Sequence, residues 1–475
     1  MPQRHLDRLN AIDASFLHQE GPDSHMHVGG LTIIEGPPPP VEDLLEQIRQ
    51  RLHLVPRYRQ KLAHTAIDSG RPVWVDDPNF NPEYHVRHTA LPSPGDWGQL
   101  RELTARVFSQ ALDRSKPLWE MWLIEGLENG RVALISKNHH ALIDGISGID
   151  LATVLFDLSP EPPPIKHSGR PWKPHPEPST AELVAVGARG AARAAAEVVG
   201  GTVDALAHPD RALVRGREAA EAVGELIWAG LNPAPSTPFN VPIGPHRRFV
   251  GVTNSLEDFK FVKNAFGGTV NDVVLSVVTG ALRSFLISRG IRTEGLELRA
   301  LVPVSVRAAN EHGHLGNRIA AMRGPLPVYI ADPVARLRFV SHAMAGLKES
   351  KQALGAEMIA NVQNFAPPTI LAQASRLNFS TRLFNLIVTN VPGPQFPLYV
   401  LGRKMLHAYP VAFLPENHAL AVAIMSYNGE MNFGLLGDFD ALPDIEAIGE
   451  HISLELSTLL ALASEATLAG SGAQT

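Results

Sequence analysis

Two adjacent histidines followed at a fixed distance by an aspartate and a glycine are the residues of this chain best suited to chemistry. They read His139-His140-Ala141-Leu142-Ile143-Asp144-Gly145, the pattern His-His-x-x-x-Asp-Gly. A chance match is expected on the order of a few times in a thousand chains of this composition, so this pattern outweighs every other in the sequence. An alcohol attacks a thioester poorly unless its proton is removed during the attack. Imidazole, with an ordinary pKa near ~6.5, is mostly neutral at pH 7 and can accept that proton. General-base help of this kind gives about 10²–10⁴ in rate. The imidazolium can then return the proton to a leaving thiolate. No covalent acyl-enzyme is needed if both substrates occupy the site together.

A His-His pair can also bind metal or simply pack. Neighbouring residues on a strand point to opposite faces, which disfavours His139 and His140 as equal ligands of one ion. No third ligand stands at a recognisable spacing, so no metal site is expected. Asp144 can be the N-cap of a following helix and Gly145 a permissive turn residue. An orienting carboxylate paired with an arginine is compatible with that role, and proton transfer is not assigned to Asp144.

The elements around the motif can be read from periodicity. Residues 131–137 form a strand that delivers the histidines, preceded by a strand at 118–125. The Asn129-Gly130 turn between them is a hairpin signal. A strand is expected at 27–35 and a helix at 41–52, with Leu44, Leu45, Ile48 and Leu52 on one face. The clearest helix is 270–288, opened by Thr269 and Asp272 in capping-box positions. Further strands are expected at 299–306, 386–390, 419–427 and 431–436. Between the two mixed regions, 159–180 is crowded with prolines and reads as an extended linker. Residues 181–231 are Ala-rich and helix-permissive, either a surface crossover or a lipid-facing stretch, and the scattered arginines favour the crossover. The expected division is a first domain at 1–170, linker and crossover helices at 171–240, and a second domain at 241–475.

Composition narrows the classes. The chain has 475 residues, too many for one ordinary domain, and 44% are apolar, enough for a sizeable core. A net charge of -6 gives no electrostatic case for nucleic acid. There are no cysteines, which excludes disulfides, thiolate metal sites and a thiol nucleophile. No apolar h-region follows the first residues, and no run reaches the roughly 18 consecutive apolar residues of a membrane span. A cytoplasmic protein with at most peripheral membrane contact is expected.

The motif resembles the active-site motif of the bacterial wax ester synthase/acyl-CoA:diacylglycerol acyltransferases. A shorter form is shared by the wider superfamily of CoA-dependent acyltransferases, including chloramphenicol acetyltransferase and the condensation domains of peptide synthetases. Further blocks resemble the family in order: Met26 to Leu31, Pro117-Leu118-Trp119-Glu120, Asn271-Asp272, Leu301 to Arg307, Gly316-Asn317-Arg318, and Asn390-Val391-Pro392-Gly393-Pro394. The Pro- and Ala-rich middle carries no such block. The resemblance implies an α/β fold of two chloramphenicol-acetyltransferase-like domains, each a mixed sheet with flanking helices, with the active-site tunnel between them. It implies His140 as base and Asp144 as structural. It implies long-chain acyl-CoA as substrate, diacylglycerol or a fatty alcohol as acceptor, and contact with a membrane or lipid-droplet surface. No cofactor and no oligomeric state are implied.

The remaining blocks leave alternatives open. Asn271 can reach the reacting carbonyl or be only a first-turn helix residue. Trp119 can shape an acyl tunnel or belong to the core. Arg307 can pair with Asp144, meet a CoA phosphate or lie on the surface. Asn390 to Pro394 is a turn by composition that can line the CoA channel. His246-Arg247-Arg248 suits phosphate, or is merely solvated. Two other functions compete. A free-standing condensation enzyme working on carrier-bound substrates shares the motif, and a lipid-storage surface protein could keep the fold without the chemistry.

Overall fold

The computed structural model describes residues 6–9, 11–64, 71–142, 155–161, 172–189, 192, 196, 232–305, 319–349 and 379–472. Two six-stranded mixed sheets carry the fold, with a small three-stranded sheet beside the first. The strands are β1 (Asp7–Arg8), β2 (His27–Ile34), β3 (Gln60–Ala63), β4 (Val73–Asp76), β5 (Val86–Ala90), β6 (Trp119–Glu125), β7 (Val132–His139), β8 (Arg247–Ser255), β9 (Leu298–Ser305), β10 (Ile319–Leu326), β11 (Leu386–Pro392), β12 (Tyr399–Val400), β13 (Arg403–Val411), β14 (Leu420–Tyr427) and β15 (Glu430–Asp438). The first sheet runs β12-β13-β2-β7-β6-β5 and the second β10-β9-β11-β14-β15-β8; the small one runs β1-β4-β3. This is the two-domain α/β architecture that the resemblance implies.

β7 lies inside the first sheet, antiparallel to β2 on one side and β6 on the other. Seven of its eight positions are buried, so both faces are covered. The β6–β7 connection is tight because Asn129 (φ 61°) and Gly130 (φ 66°) take the left-handed conformation that side chains other than Asn and Gly disfavour. The termini of β7 are thereby set by its own hairpin and by two neighbours.

Strands β12 and β13 lie within the 241–475 segment but complete the first sheet, where β13 pairs with β2. The segment is therefore not one spatial unit. Nothing local in 399–411 announces this, because a strand's choice of partner depends on register and shape across hundreds of residues. β13 also packs against the second sheet. Gly251 of β8 has the rings of Trp97 and Tyr409 2.9 Å from where a Cβ would stand, so a side chain there would push the two sheets apart. Thr253 of β8 donates a hydrogen bond to the Tyr409 hydroxyl at 3.0 Å across the same seam.

Seven helices matter here: α1 (Ala11–Gln19), α2 (Val41–Arg51), α3 (Trp97–Ser109), α4 (Leu256–Phe266), α5 (Val270–Ser288), α6 (Pro333–Glu349) and α7 (Ile445–Gly472). α5 starts where its sequence says it should. The Asp272 N–H donates to Thr269 Oγ1 at 3.2 Å, and the Thr269 N–H donates back to Asp272 Oδ2 at 2.8 Å. Its valines are poor helix formers, yet Val273, Val274, Val277 and Val278 are wholly buried. Burial worth about 1.5–3 kcal/mol per large apolar side chain overrides propensities of a few tenths. α7 lays Ile445, Ile448, Ile452, Leu456 and Leu459 on that core at helical spacing. Both α5 and the stretch Ile445–Ala469 are long and apolar enough to cross a membrane by length and composition alone; the first is mostly buried and the second mostly is not.

The proline-rich segment carries no helix or strand at 172–179, and it is strapped down there. The Arg59 guanidinium stands 4.5 Å over the Trp172 ring, His175 Nδ1 meets Asp76 at 2.8 Å, and Lys61 pairs with Glu177 at 2.7 Å. Residues 180–189 then open a helix, and the remainder of the Ala-rich stretch, including Leu226-Ile227-Trp228, lies outside the described residues apart from 192 and 196.

The helix layer on the second sheet holds a buried ion pair among its described residues. Arg336 of α6 donates to the Glu455 carboxylate of α7, over Gly280 of α5, where any Cβ would collide with Glu455. Removing one member of such a pair leaves the other charge buried. We expect Arg336→Leu to destabilise the fold by about 3–5 kcal/mol, measured by denaturant unfolding. A loss below about 1 kcal/mol would show that Glu455 finds water or another partner.

Candidate functional site

His139 closes β7 and His140 opens a 3-10 turn, His140–Leu142. Both are pinned through the main chain. The His139 N–H donates to the Leu118 carbonyl at 2.9 Å, and the His140 N–H donates to the Met26 carbonyl at 2.8 Å. These acceptors sit at the starts of the two flanking strands, so the turn is held from both sides.

The two rings then part, as neighbouring side chains on a strand must. His139 turns inward. Its Nδ1 accepts the Ala141 N–H at 3.0 Å, which ties the ring to the turn that carries His140. Because Nδ1 accepts, the ring proton sits on Nε2, 3.4 Å from Glu20 Oε2.

Glu20 is the residue on which this side of the site converges. It follows α1, with its N–H donating to the Phe16 carbonyl at 3.2 Å. Its carboxylate is 3.5 Å from His27 Nε2, 3.7 Å from His25 Nδ1 and 2.8 Å from Arg114 Nε. Burial alone would raise its pKa, but hydrogen bonds from His139 and His25, with the Arg114 charge beside it, hold it well below the usual carboxylate range. Arg114 also donates to the Leu17 carbonyl at 3.1 Å, a cation at the negative end of α1. Beneath this cluster Lys137 is fully buried and satisfied by Glu120 Oε1 at 2.5 Å and the carbonyls of Val107 and Gln110 at 2.8 and 2.9 Å. Burial, and then the Lys137 charge, push the pKa of His27 well below the ordinary histidine value, which leaves that ring neutral.

His140 faces a different environment. Its ring stacks on Phe16 with centroids 3.9 Å apart and planes 22° from parallel. Phe413, in the chain leaving β13, stands at 88° to it at 5.7 Å, and Phe379 closes on both phenyl rings at 6.3 and 5.8 Å. Burial, followed by the nearby His139, lowers the His140 pKa to about 4, although an approach to its own main chain pulls upward. The ring is therefore neutral at pH 7 and able to accept a proton. Its Nδ1 is sealed from solvent with no partner of ordinary hydrogen-bond geometry among the described residues, which leaves Nε2 for a substrate.

The other candidates separate. Asn271, in the first turn of α5, and Asn390, on β11, are brought together: Asn390 Nδ2 donates to Asn271 Oδ1 at 3.1 Å. Trp119 is 1% exposed, stacks on His85 at 4.6 Å and donates to the Tyr58 carbonyl at 2.8 Å, a core position with its polar atom satisfied. The Pro394 carbonyl accepts from the Asn428 N–H at 3.0 Å in the turn after β11. Asp144, Gly145 and Arg307 lie outside the described residues. Of the basic trio, Arg247 is buried against the carbonyls of Gly244, His246 and Asp23, and Arg248 stacks over Phe439 at 3.9 Å. No group of His, Asp or Glu among the described residues is arranged to hold a metal ion.

Glu20, Phe16 and Arg114 were not singled out from the sequence. The signal available was the i, i+4 spacing of Phe16 and Glu20, which puts both on one helical face just before the Met26 block.

Comparison with known proteins matches residues 9–274 to the wax ester synthase/diacylglycerol acyltransferase catalytic domain and 315–459 to the WS/DGAT C-terminal domain. The chain is 34% identical over 461 residues to tgs1 of Mycobacterium tuberculosis (strain H37Rv), named a probable diacylglycerol O-acyltransferase, covering 96% of each. Among solved structures it resembles the wax ester synthase/diacylglycerol acyltransferase of Marinobacter aquaeolei VT8, with 29% identity and a TM-score of 0.66 over 96% of this chain and 100% of that one. The starter condensation domain of rhizomide synthetase shares the fold alone, at 15% identity and a TM-score of 0.54 over 97% of this chain and 95% of that one.

The Glu20 cluster has a pH signature. A carboxylate whose pKa is depressed in the fold adds stability above its unfolded value of 4.5, and that contribution fades as pH falls below it. We expect Glu20→Gln to melt lower than the parent at pH 7, with the gap narrowing between pH 4.5 and pH 3. A gap of constant size in thermal melts across that range would contradict the ion cluster.

Proposed function

Because the chain belongs to the wax ester synthase/diacylglycerol acyltransferase family, we propose that it transfers a long-chain acyl group from acyl-CoA to diacylglycerol or a fatty alcohol with His140 as the general base. The enzyme is an O-acyltransferase making triacylglycerol or wax ester. The observation that carries the role of His140 is its neutral ring, pinned at the end of β7 with only Nε2 left for substrate.

The alcohol proton moves to His140 Nε2 as the oxygen attacks the thioester carbonyl carbon. The tetrahedral adduct collapses, the C–S bond breaks, and the proton passes from Nε2 to the departing thiolate. Acyl-CoA is a substrate, and these steps call on no cofactor. Asn271 and Asn390, joined by their amide hydrogen bond, are suited to face the acyl or CoA part of the channel, one contributed by a helix N-terminus and the other by a strand end. The condensation-type alternative has only the shared fold and motif in its favour.

Removing the base should cost the factor that general-base catalysis contributes. We expect purified His140→Ala, with palmitoyl-CoA and either hexadecanol or diacylglycerol, to lose about 10²–10⁴ of the rate with unchanged melting. Retention of half the parental rate would refute the role.

The substrates live in bilayers and the products form an oil phase, so the protein must visit that surface. Exposed Leu454 and Leu468 on the outer side of α7 support peripheral contact. We expect alkaline carbonate to release the membrane-associated fraction; protein extractable by detergent alone would contradict it.

A further inference from the structure

The proton that His140 accepts creates a cation in a place where no counter-charge stands against it among the described residues. Among the described residues no carboxylate pairs with this ring, and its Nδ1 has no hydrogen-bond partner. The nearby carboxylate, Glu20, is committed to the His139 side. What the described residues do place against the ring, where an imidazolium forms during attack, is an aromatic face.

We propose that the face of Phe16 is a positioning and electrostatic partner that stabilises the His140 imidazolium in the transition state. The inference rests on His140 being the base. The centroid separation of 3.9 Å and the 22° interplanar angle put the imidazole over the negative face of the phenyl quadrupole. Phe16 is 8% exposed and His140 half-buried, so water screens the interaction only in part. The neutral ring gains little from the quadrupole and the cation gains much, so the contact is stronger in the transition state than in the ground state, which is what raises kcat. Burial keeps the base uncharged before reaction, and Phe16 offsets part of that penalty once the proton has moved. Phe413, at 88° and 5.7 Å, borders the ring without stacking on it. Phe16 also stands one turn before Glu20, so the short helix α1 supports both histidines, one by a ring and one by a carboxylate.

Fluorination separates charge from shape. Each fluorine on a phenyl ring weakens the negative face while changing volume little. Phe16 is to be replaced by 4-fluoro-, 3,5-difluoro- and 3,4,5-trifluorophenylalanine, and by leucine as Phe16→Leu. The expected result is a stepwise fall in kcat along the fluorinated series, with KM for palmitoyl-CoA and the melting temperature unchanged. Phe16→Leu should fall about ten- to thirtyfold. A kcat that stays level across the series overturns the proposal, even if Phe16→Leu is impaired, since packing alone would explain the latter. His140→Ala is assayed beside them. If it is inactive while the series is level, the base stands and the role of Phe16 falls; if it remains active, the base itself is wrong.

Discussion

An imidazole that is to take a proton from an alcohol has to stay uncharged until the alcohol arrives, and here burial enforces that state. A carboxylate against His140 would draw a proton onto it in advance. Among the described residues the ring is bordered by Phe16 and Phe413, with Phe379 packed on both phenyl rings, and the nearby anion, Glu20, is on the other histidine. A pKa near 4 makes a weak base as well as a neutral one. Such a base is effective only where substrate, carbonyl and ring are already aligned, because the proton-transfer driving force falls as the base weakens.

Alignment explains much of the architecture. The main chain of His139 and His140 is held by Leu118 and Met26 across two strand neighbours, and Ala141 is tied back to the His139 ring. Phe413 reaches the site because β13 crosses from the far end of the chain into the first sheet. Without that crossing the base would lose one wall of its enclosure, and the two sheets would lose the seam at Gly251 and Tyr409. The domain interface and the site are products of the same strand. The charges beneath are paired, Lys137 with Glu120 and two carbonyls and Glu20 with Arg114, while the imidazoles of His25, His27 and His139 stand 3.4–3.7 Å from the Glu20 carboxylate.

What could be read from the sequence followed range along the chain. α5 was legible to its cap because helix boundaries are decided by neighbours three and four residues away, here Thr269 and Asp272. The β6–β7 hairpin was legible from Asn129-Gly130, and the histidine pair from its own spacing. Glu20 was not, because a carboxylate 119 positions before His139 acquires its role only when the β2–β7 register puts His27 opposite His139. β13 escaped for the same reason. Arg247 misled in the opposite direction: among basic neighbours it looked available to phosphate, and in the fold its guanidinium is used up on carbonyls. Local signals name the chemistry, whereas long-range pairing chooses its supports.

The pH dependence of kcat/KM tests the central claim most directly, since it reports the ionisation of the free enzyme. If enclosure holds the His140 pKa at about 4, kcat/KM for palmitoyl-CoA with a fixed alcohol stays level from pH 8 to pH 6 and declines only below that. The decline should be absent from the residual rate of His140→Ala. An acid limb centred at the ordinary histidine value near ~6.5, or above it, would contradict the account.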